Sequence, residues 1–416
     1  MPSRLCDRLS RVLLCVVFSL LVSGCIEAAP ATEPVAIKFM FLEIDQGYYE
    51  ALLPQFEEQY PHITVELDAR SYRQWRPDQR LEGADVVAAG DWVLSPLLEQ
   101  GMLLELDALI EQDSTFGMDD FYPGTLDQFS RNGKWWGVPA GLDPLVTFYN
   151  QDLFDQYDVP YPRPGWTRAE FEQAVLLLRD DQTNVFGYAF SDLTLDATLF
   201  IYAHGGQLFD DLGDPTRAMF NDPLTVEALE WYFGLMHEQN AIPKPDELRQ
   251  FGGDEGTYAY YGFARNQVGM FFAPFSQAGG RYWPQRWTMR WGMVPLPRDV
   301  KQIAFGSSEG YYVTSLTEHP NACWQWIKFL SRYAPERFIP PRKSIVESSE
   351  YGNEIGGSVE TIRAALSGEL LLNPTNATED LEADYGLFAQ AIQEIATGAL
   401  TPAQAMEQAQ QEAKLK

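Results

Sequence analysis

The chain has 416 residues, of which 45% are hydrophobic, and its 59 acidic side chains outnumber 30 Lys and Arg to give a formal net charge of −29. An acidic surface repels nucleic acid and anionic lipid, so the composition argues against either as a direct partner. The length exceeds what one hydrophobic core normally serves, and two lobes are therefore expected.

The N-terminus has the parts of a secretory signal. Three arginines precede an apolar run over residues 12–22, which is too short to cross a bilayer as a stable helix. Residues 21–25, "LVSGC", resemble the bacterial lipobox, in which the cysteine is acylated. The sequence thus predicts a signal peptide over residues 1–24, a lipid on Cys25 and a flexible tether over residues 25–34, which together anchor an extracytoplasmic domain to the cell membrane. An ordinary cleaved signal with an incidental cysteine is the alternative.

Strands and helices alternate over the first part of the predicted mature chain. Strand-like composition occurs at residues 35–44, 62–69 and 84–90, and apolar residues recur at helical spacing over residues 48–60 and 91–101. This alternation predicts an α/β fold built on a parallel sheet with helices on its faces.

Capping signals mark the later helices. The segment Thr167–Glu170 forms a capping box ahead of an apolar helix, and one residue of the pair 221–222 caps a second helix. A third helix is predicted over residues 319–333, and two more over residues 385–413, where a turn beginning at Gly398 separates them. The later chain is therefore α/β as well.

No cofactor or metal site is indicated. After Cys25 the only other cysteine of the predicted mature chain is Cys323, so an intramolecular disulfide is not expected. Cys323 lies on a helical pattern among large apolar residues, which predicts a buried and inert thiol. The four histidines stand apart at spacings that do not suit a metal site.

Several segments follow one another in an order that resembles a known family. They are "PQFEEQYPHITVE", "ADVVAAGDW", "NGKWWGVPAGLDPLVTFYNQDLF", "GWTRAEFEQA", "HGGQLFDD", "FARNQVGMFF", "RWGMVPLPRD" and "EGYYVTSLTEHPNACWQWIKFLSR". Together they resemble the sugar-binding family of extracellular solute-binding proteins of bacterial ATP-driven importers, typified by maltose-binding protein. The resemblance runs from about residue 36 to the C-terminus.

The resemblance implies a two-lobed α/β fold in which both lobes are discontinuous and close about a ligand held between them. The implied lobes are residues 35–146 with 307–343 and residues 147–306 with 344–416. The implied crossings lie near Leu145–Tyr149, Ser307–Tyr311 and Pro340–Ser344. The implied partners are a small sugar and the transmembrane permease subunits of an ABC importer, and we expect the receptor to be a monomer.

A sugar site needs carboxylates or amides for the ring hydroxyls and aromatic faces for the apolar ring surfaces. Because the carboxyl ends of strands face the cleft in open α/β sheets, Glu43 and Asp45 after the first strand are candidates. Asp91 and Trp92 follow a later strand and align by resemblance with a cleft loop, although Asp91 could also cap the next helix. By resemblance, Asp143 matches an acidic position that meets sugar hydroxyls.

The resemblance adds a second set of candidates from the rest of the chain. These are Asp192, Asp196, Phe275, Tyr311, Arg342 and Tyr385. Phe275 stands where many relatives have the tryptophan of a Gly-Pro-Trp motif, and this departure bears on the size of the sugar. Arg342 is either a ligand contact or a salt-bridged hinge residue.

Three other functions are compatible with the residues. A glycoside hydrolase also needs paired carboxylates and stacking aromatics. A receptor for a cationic solute such as a polyamine would use carboxylates and cation–π contacts. A tethered adhesion or signalling module would bind another protein. Because the resemblance covers nearly the whole mature chain, the sequence favours a sugar receptor over an enzyme.

Overall fold

A computed structural model of the protein describes residues 33–415 apart from 78–79, 82, 212–214, 255, 282–284 and 371–378. The predicted signal peptide, Cys25 and most of the predicted tether lie outside the described residues. In the described ranges, no helix is both long enough and apolar enough to span a bilayer.

Eight strands of the described chain form the main sheet. They are β1 (Val35–Leu42), β2 (Ile63–Arg70), β3 (Val86–Gly90), β4 (Val138–Asn150), β5 (Phe186–Tyr188), β6 (Val268–Pro274), β7 (Trp291–Val294) and β8 (Gly306–Val313). Two small sheets pair Ser130–Arg131 with Lys134–Trp135 and Ile303–Ala304 with Glu369–Leu370.

Helices flank the sheet. They are α1 (Gln46–Gln59), α2 (Leu94–Glu99), α3 (Asp107–Gln112), α4 (Gln151–Gln156), α5 (Arg168–Leu178), α6 (Leu193–His204), α7 (Pro223–His237), α8 (Tyr258–Ala264), α9 (Pro320–Leu330), α10 (Lys343–Val346), α11 (Ser349–Ile355), α12 (Val359–Ala365), α13 (Glu379–Ala396) and α14 (Pro402–Glu412). Short 3-10 turns include Glu43–Asp45, Asp91–Val93 and Phe275–Gly280.

The strand order is β2, β1, β3, β8, β4, β6 and β5, with β7 paired along β4. β1 runs parallel to β2 and β3, and β5 runs parallel to β6, as the alternation of strands and helices predicts. However, β8 is antiparallel to β3 and β4, and β4 is antiparallel to β6 and β7. The sheet is therefore mixed rather than parallel, because β4 and β8 run between the lobes in opposite directions.

The strand β4 is shared by two lobes. Its first part, Val138–Pro144, pairs with β8, whereas Leu145–Tyr149 pairs with β6. The first crossing thus lies at Pro144 and Leu145, and the remainder of the predicted interval belongs to the sheet of the second lobe. Beside it, the Leu145 N–H donates to the Phe305 carbonyl at 2.7 Å, so the second crossing lies just before the predicted Ser307–Tyr311.

The third crossing packs on β4. Ile339 and Leu142 exchange two backbone hydrogen bonds of 2.8 and 2.9 Å. A Cβ on Gly141 would lie 2.6 Å from the Cβ of Phe338, so glycine is required for this close approach. The predicted interval Pro340–Ser344 follows directly. The residue boundaries of the two lobes stay a prediction.

Each lobe has its own hydrophobic core. In the first lobe, Phe39 and Trp326 belong to a cluster on one face of the sheet, and Leu94 and Tyr312 belong to a cluster on the other. The second lobe buries the far half of β4 with β5, β6 and the helices around them. Cys323 is buried in the first core, and burial raises the pKa of its thiol to about 12, as expected for an inert thiol.

Local capping begins the helices where the sequence predicts it. Thr167 Oγ1 accepts the Glu170 N–H at 3.2 Å, and Glu170 Oε2 accepts the Thr167 N–H at 2.7 Å. The Asp222 side chain accepts two N–H groups at the start of α7, directly before Pro223. Both capping predictions are confirmed.

Candidate functional site

The strand ends of both lobes meet at the crossing segments. Gly90, the last residue of β3, pairs with Glu309 of β8, which in turn pairs with Gly141 of β4. Pro274, the last residue of β6, pairs with Leu145 of β4. The carboxyl ends of the parallel strands in one lobe therefore face those of the other lobe, and the loops that follow them border the cleft between the lobes.

Exposed apolar side chains lie on these loops and on α13. Trp92 follows β3 and is 54% exposed, and Ile44 follows β1 and is 44% exposed. Tyr385 on α13 is 42% exposed and lies beside Thr198 of α6. Phe275, directly after β6, is half-buried against the second core. These side chains offer apolar faces to a ligand, and the predicted contacts of Trp92, Phe275 and Tyr385 stay predictions.

Asp143 lies directly before the point where β4 changes lobes. Its carboxylate accepts the Ser276 N–H at 2.8 Å and the Ser276 O–H at 2.7 Å. Burial raises the pKa of the Asp143 carboxyl to about 6, although these hydrogen bonds and the charge of Arg337 lower it. The side chain therefore holds the loop that carries Phe275. Asp143 also lines a cavity of about 190 Å³ that both lobes border.

Asp45 belongs to a buried ionic cluster. Both of its carboxylate oxygens accept hydrogen bonds from Arg337, at 3.0 and 2.7 Å. The same guanidinium lies 3.4 Å from Glu309 and stacks on Phe338 at 3.8 Å. One cation thus faces two carboxylates, and it connects the loop after β1 to the segment that enters the third crossing. Asp45 is 5% exposed, so its carboxylate is committed to Arg337 rather than displayed to solvent.

Glu309 is the second carboxyl group that faces Arg337. Burial raises its pKa from 4.5 to about 7, and the negative charges of Asp45 and Asp143 add to the increase. The charge of Arg337 acts in the opposite direction. Near neutral pH the cluster therefore contains a carboxyl group that exchanges its proton with a small change of pH.

The other predicted carboxylates of the cleft loops are more open. Glu43 is exposed in the 3-10 turn after β1. Asp91 is half-buried after β3, and burial raises its pKa. It is not the cap of the following helix, since Val93 occupies the N-cap position of α2. Asp192 is exposed after β5, and its carboxylate caps α6 by accepting the Leu195 N–H at 3.0 Å.

Two predicted contacts are buried in the lobe cores. Asp196 is 2% exposed, and its carboxylate accepts hydrogen bonds from the hydroxyl groups of Tyr188 and Tyr232. Burial raises its pKa well above the usual range. Tyr311 is fully buried with its ring edge-on to Phe39 at 6.2 Å, because its position on β8 faces the first core. A ligand contact for either stays a prediction that this packing does not favour.

The guanidinium of Arg342 makes hydrogen bonds, an ion pair and a ring contact within the first lobe. Its guanidinium donates to the Ser331 carbonyl at 3.1 Å and to the Ser331 hydroxyl at 3.0 Å. It also lies 3.4 Å from an Asp120 oxygen and 4.2 Å from the Phe121 ring. These contacts include the salt bridge of one predicted alternative, and a ligand contact by Arg342 stays a prediction.

Three residues of this site were not predicted from the sequence: Arg337, Glu309 and Ser276. Arg337 lies 292 positions from Asp45 and 28 from Glu309, so no short spacing reveals the cluster. Ser276 follows directly on Phe275, and a serine beside a cleft candidate was the available signal. Within the described residues, no group of three or more His, Cys, Asp or Glu could hold a metal ion.

Comparisons with known proteins agree on one family. The family described as bacterial extracellular solute-binding protein matches residues 42–334. The arabinooligosaccharide-binding protein of Bacillus subtilis is 22% identical over 271 residues, which are 62% of this chain and 59% of that protein. The chain thus spans less than two thirds of the length of this relative.

Solved structures extend the likeness to the fold. An ABC substrate-binding protein of Listeria monocytogenes in complex with cycloalternan has a TM-score of 0.70 at 20% identity, covering 92% of this chain and 98% of that one. The sugar-binding protein MalE of Xanthomonas citri has a TM-score of 0.72 at 18% identity, covering 91% and 96%. The predicted two-lobed α/β fold is confirmed.

Proposed function

Because the chain belongs to the bacterial extracellular solute-binding protein family, we propose that it binds a sugar or oligosaccharide between its lobes as the receptor of an ABC importer. The family resemblance predicted from the sequence is confirmed by the match over residues 42–334. In this proposal the receptor is a monomer, and the lipid on Cys25 keeps it beside the permease subunits to which it delivers the sugar.

One observation carries the sugar assignment: the cleft loops and α13 combine exposed aromatic rings with carboxylates. The rings are those of Trp92 and Tyr385. Asp91 precedes Trp92 in the chain, and Asp192 lies near Tyr385 in space. Hydrogen bonds to charged groups contribute about 1.5–3 kcal/mol each. A few such bonds with one or two stacked rings reach the roughly 8 kcal/mol of a micromolar complex.

The relatives support binding rather than catalysis. The Bacillus subtilis relative is named for arabinooligosaccharide binding, and the Listeria monocytogenes structure holds cycloalternan. Both are binding proteins, and neither name refers to hydrolysis. A cationic solute remains the competing ligand, because Asp91, Asp192 and Glu43 would attract it, but no relative named above is described as a polyamine receptor.

A thermal-shift screen tests the proposal. The chain without its predicted signal peptide is heated with mono-, di- and oligosaccharides, and with polyamines and amino acids. Ligand at a hundred times its dissociation constant adds about 2.7 kcal/mol of stability. We expect saccharides to raise the melting temperature.

Two aromatic variants sharpen the screen. Trp92→Ala and Tyr385→Ala remove exposed rings, so we expect the unliganded protein to melt normally and the sugar-induced shift to shrink. Leu316→Ala is the control, since Leu316 is 61% exposed beyond the far end of β8. Stabilisation by polyamines alone would indicate that the ligand is a cationic solute and not a sugar. If no saccharide raised the melting temperature, the sugar assignment would be overturned.

A further inference from the structure

A second cavity, of about 540 Å³, borders the crossing, and we call it the rear cavity. Its described walls come from residues 122–128, 142–144 and 304–308, from Lys343, and from residues 365–368 at the end of α12. None of these residues belongs to the loops after β1, β3, β5 or β6. The cavity of about 190 Å³, in contrast, includes Asp192 after β5 and Gln277 after β6. The rear cavity is therefore separate from the loops proposed to bind the sugar.

The two cavities lie on opposite faces of the strand pair that runs between the lobes. In this pair Leu142 lies beside Ser308, and Pro144 lies beside Gly306. Leu142, Pro144 and Ser308 line the rear cavity and not the smaller one, whereas Leu145 lines the smaller one and not the rear cavity. Successive side chains of a strand point to opposite faces, which explains this division. A ligand in the rear cavity is thus across β4 and β8 from the sugar loops.

The rear cavity has one cation without a counter-charge. Lys343 is the one Lys or Arg among the described residues that line it, and it is half-buried. Its ammonium group forms no ion pair with any described residue. Asp143 is the one carboxylate of these walls, and both of its oxygens accept hydrogen bonds from Ser276 of the loop after β6. The charges of the walls therefore favour a ligand with a single negative charge.

An amide and a hydroxyl group add uncommitted polar atoms. The Gln128 Oε1 atom is buried and has no hydrogen-bond partner among the described residues. Rotation about the last bond of this side chain exchanges the oxygen with the amide nitrogen, so Gln128 can present N–H donors to an anion. Ser308 lines the same cavity from β8. The Thr125 and Ser367 hydroxyls are committed instead, since they donate to backbone carbonyls at 2.8 and 2.9 Å.

The remaining walls are mostly apolar. Leu142 and Phe305 come from the two crossing strands and the residue before β8, and Leu366 follows α12. The volume lies within the roughly 300–1,000 Å³ of pockets that bury small ligands. One positive charge, a few donors and an apolar wall match a carboxylate that carries hydrocarbon, because a free sugar has no charge and a polyamine has the wrong sign.

We propose that the rear cavity binds a small monocarboxylate with a compact apolar body, whose carboxylate is held by Lys343 and Gln128 and whose hydrocarbon packs on Leu142 and Leu366. The site goes beyond sugar binding and does not depend on it. Residues of the second and third crossings line it, so the carboxylate touches the segments that join the lobes.

Calorimetric titration of the chain without its predicted signal peptide, in the absence of sugar, tests the chemistry. The probes are 4-methylpentanoate, phenylacetate, acetate and the neutral 4-methylpentanamide. We expect the first two acids to bind. Acetate should bind at least about tenfold more weakly because it lacks the apolar body, and the amide at least about tenfold more weakly because it lacks the charge.

Variants locate the binding in the rear cavity. Lys343→Met removes the charge at similar length, so it should weaken 4-methylpentanoate at least about tenfold and leave the amide unchanged. Gln128→Leu should weaken the acid severalfold. Lys244→Met is the matched control, because Lys244 is exposed and lies outside these walls. Trp92→Ala, in the sugar loops, should also leave the acid unchanged.

Three results would overturn the proposal. They are no binding of either larger acid at millimolar concentration, equal binding of the acid and its amide, and equal binding of the acid by the wild type and Lys343→Met. If Lys343→Met did not melt cooperatively, the comparison of acid and amide in the wild type would decide. A neutral sugar that is weakened by Gln128→Leu and not by Trp92→Ala would make the rear cavity the sugar site and would also overturn the proposal.

Discussion

Replacing Glu309 by glutamine isolates the proton held in the buried cluster. Burial raises the pKa of the Glu309 carboxyl from 4.5 to about 7, so between these values the folded state binds more protons than the unfolded state. The stability that this group contributes is complete below pH 4.5 and is lost as the pH rises through 7. Glutamine has nearly the same shape and does not titrate.

The magnitude follows from the shift. One pKa unit corresponds to about 1.4 kcal/mol, so the contribution lost across the window is on the order of 3 kcal/mol. Asp143 also titrates, but it is present in both proteins and largely cancels from their difference. Between pH 4.5 and about pH 8 the wild type should therefore lose about 3 kcal/mol of unfolding free energy that the Glu309→Gln variant keeps.

Urea unfolding followed by tryptophan fluorescence at several pH values across this window measures the difference. Glu99→Gln, at an exposed position at the end of α2, is the control and should run parallel to the wild type. If the Glu309→Gln and wild-type stabilities also change in parallel with pH, Glu309 does not hold a raised pKa and the reasoning about its burial fails.

Two further changes probe neighbouring contacts. Arg337→Met should lower the free energy of unfolding in urea by about 3–5 kcal/mol, because it leaves the Asp45 carboxylate buried and unpaired. Adding Asp45→Asn should recover part of this loss. Equal losses in the single and double variants would contradict the pairing. Ser276→Ala should cost about 1–3 kcal/mol by removing a donor to buried Asp143. The stability lost in Ser276→Ala should be smaller below pH 6, where Asp143 is protonated. Differential calorimetry at two pH values measures this, and an equal loss at both would contradict the prediction.

Local signals in the sequence predicted local structure well. The capping box at Thr167 and the cap at Asp222 depend on residues within four positions, so the chain itself contains the whole pattern. Asp192 was predicted as a ligand contact, but an acidic residue three positions before a helical N–H also fits a helix cap. In the structure Asp192 caps α6.

The crossing and its buried charges depend on contacts between distant segments. The family resemblance indicated two lobes, but the point where β4 changes partners is set by pairing with residues more than a hundred positions away. Arg337 was missed for the same reason. Tyr311 was predicted at the cleft from the family resemblance, whereas the alternation of side chains along β8 directs it into the first core.

The position of β8 in the sheet determines when the first lobe can form. β8 lies between β3 and β4, yet it is synthesised more than 150 residues after β4 ends. Until Gly306–Val313 has emerged, the facing edges of β3 and β4 have no partner, and exposed strand edges promote aggregation. Contacts between such distant segments also slow folding. A chain truncated before residue 306 would therefore lack a complete first lobe. The second core also includes Phe388 and Met406, so neither lobe is complete until late in the synthesis of the chain.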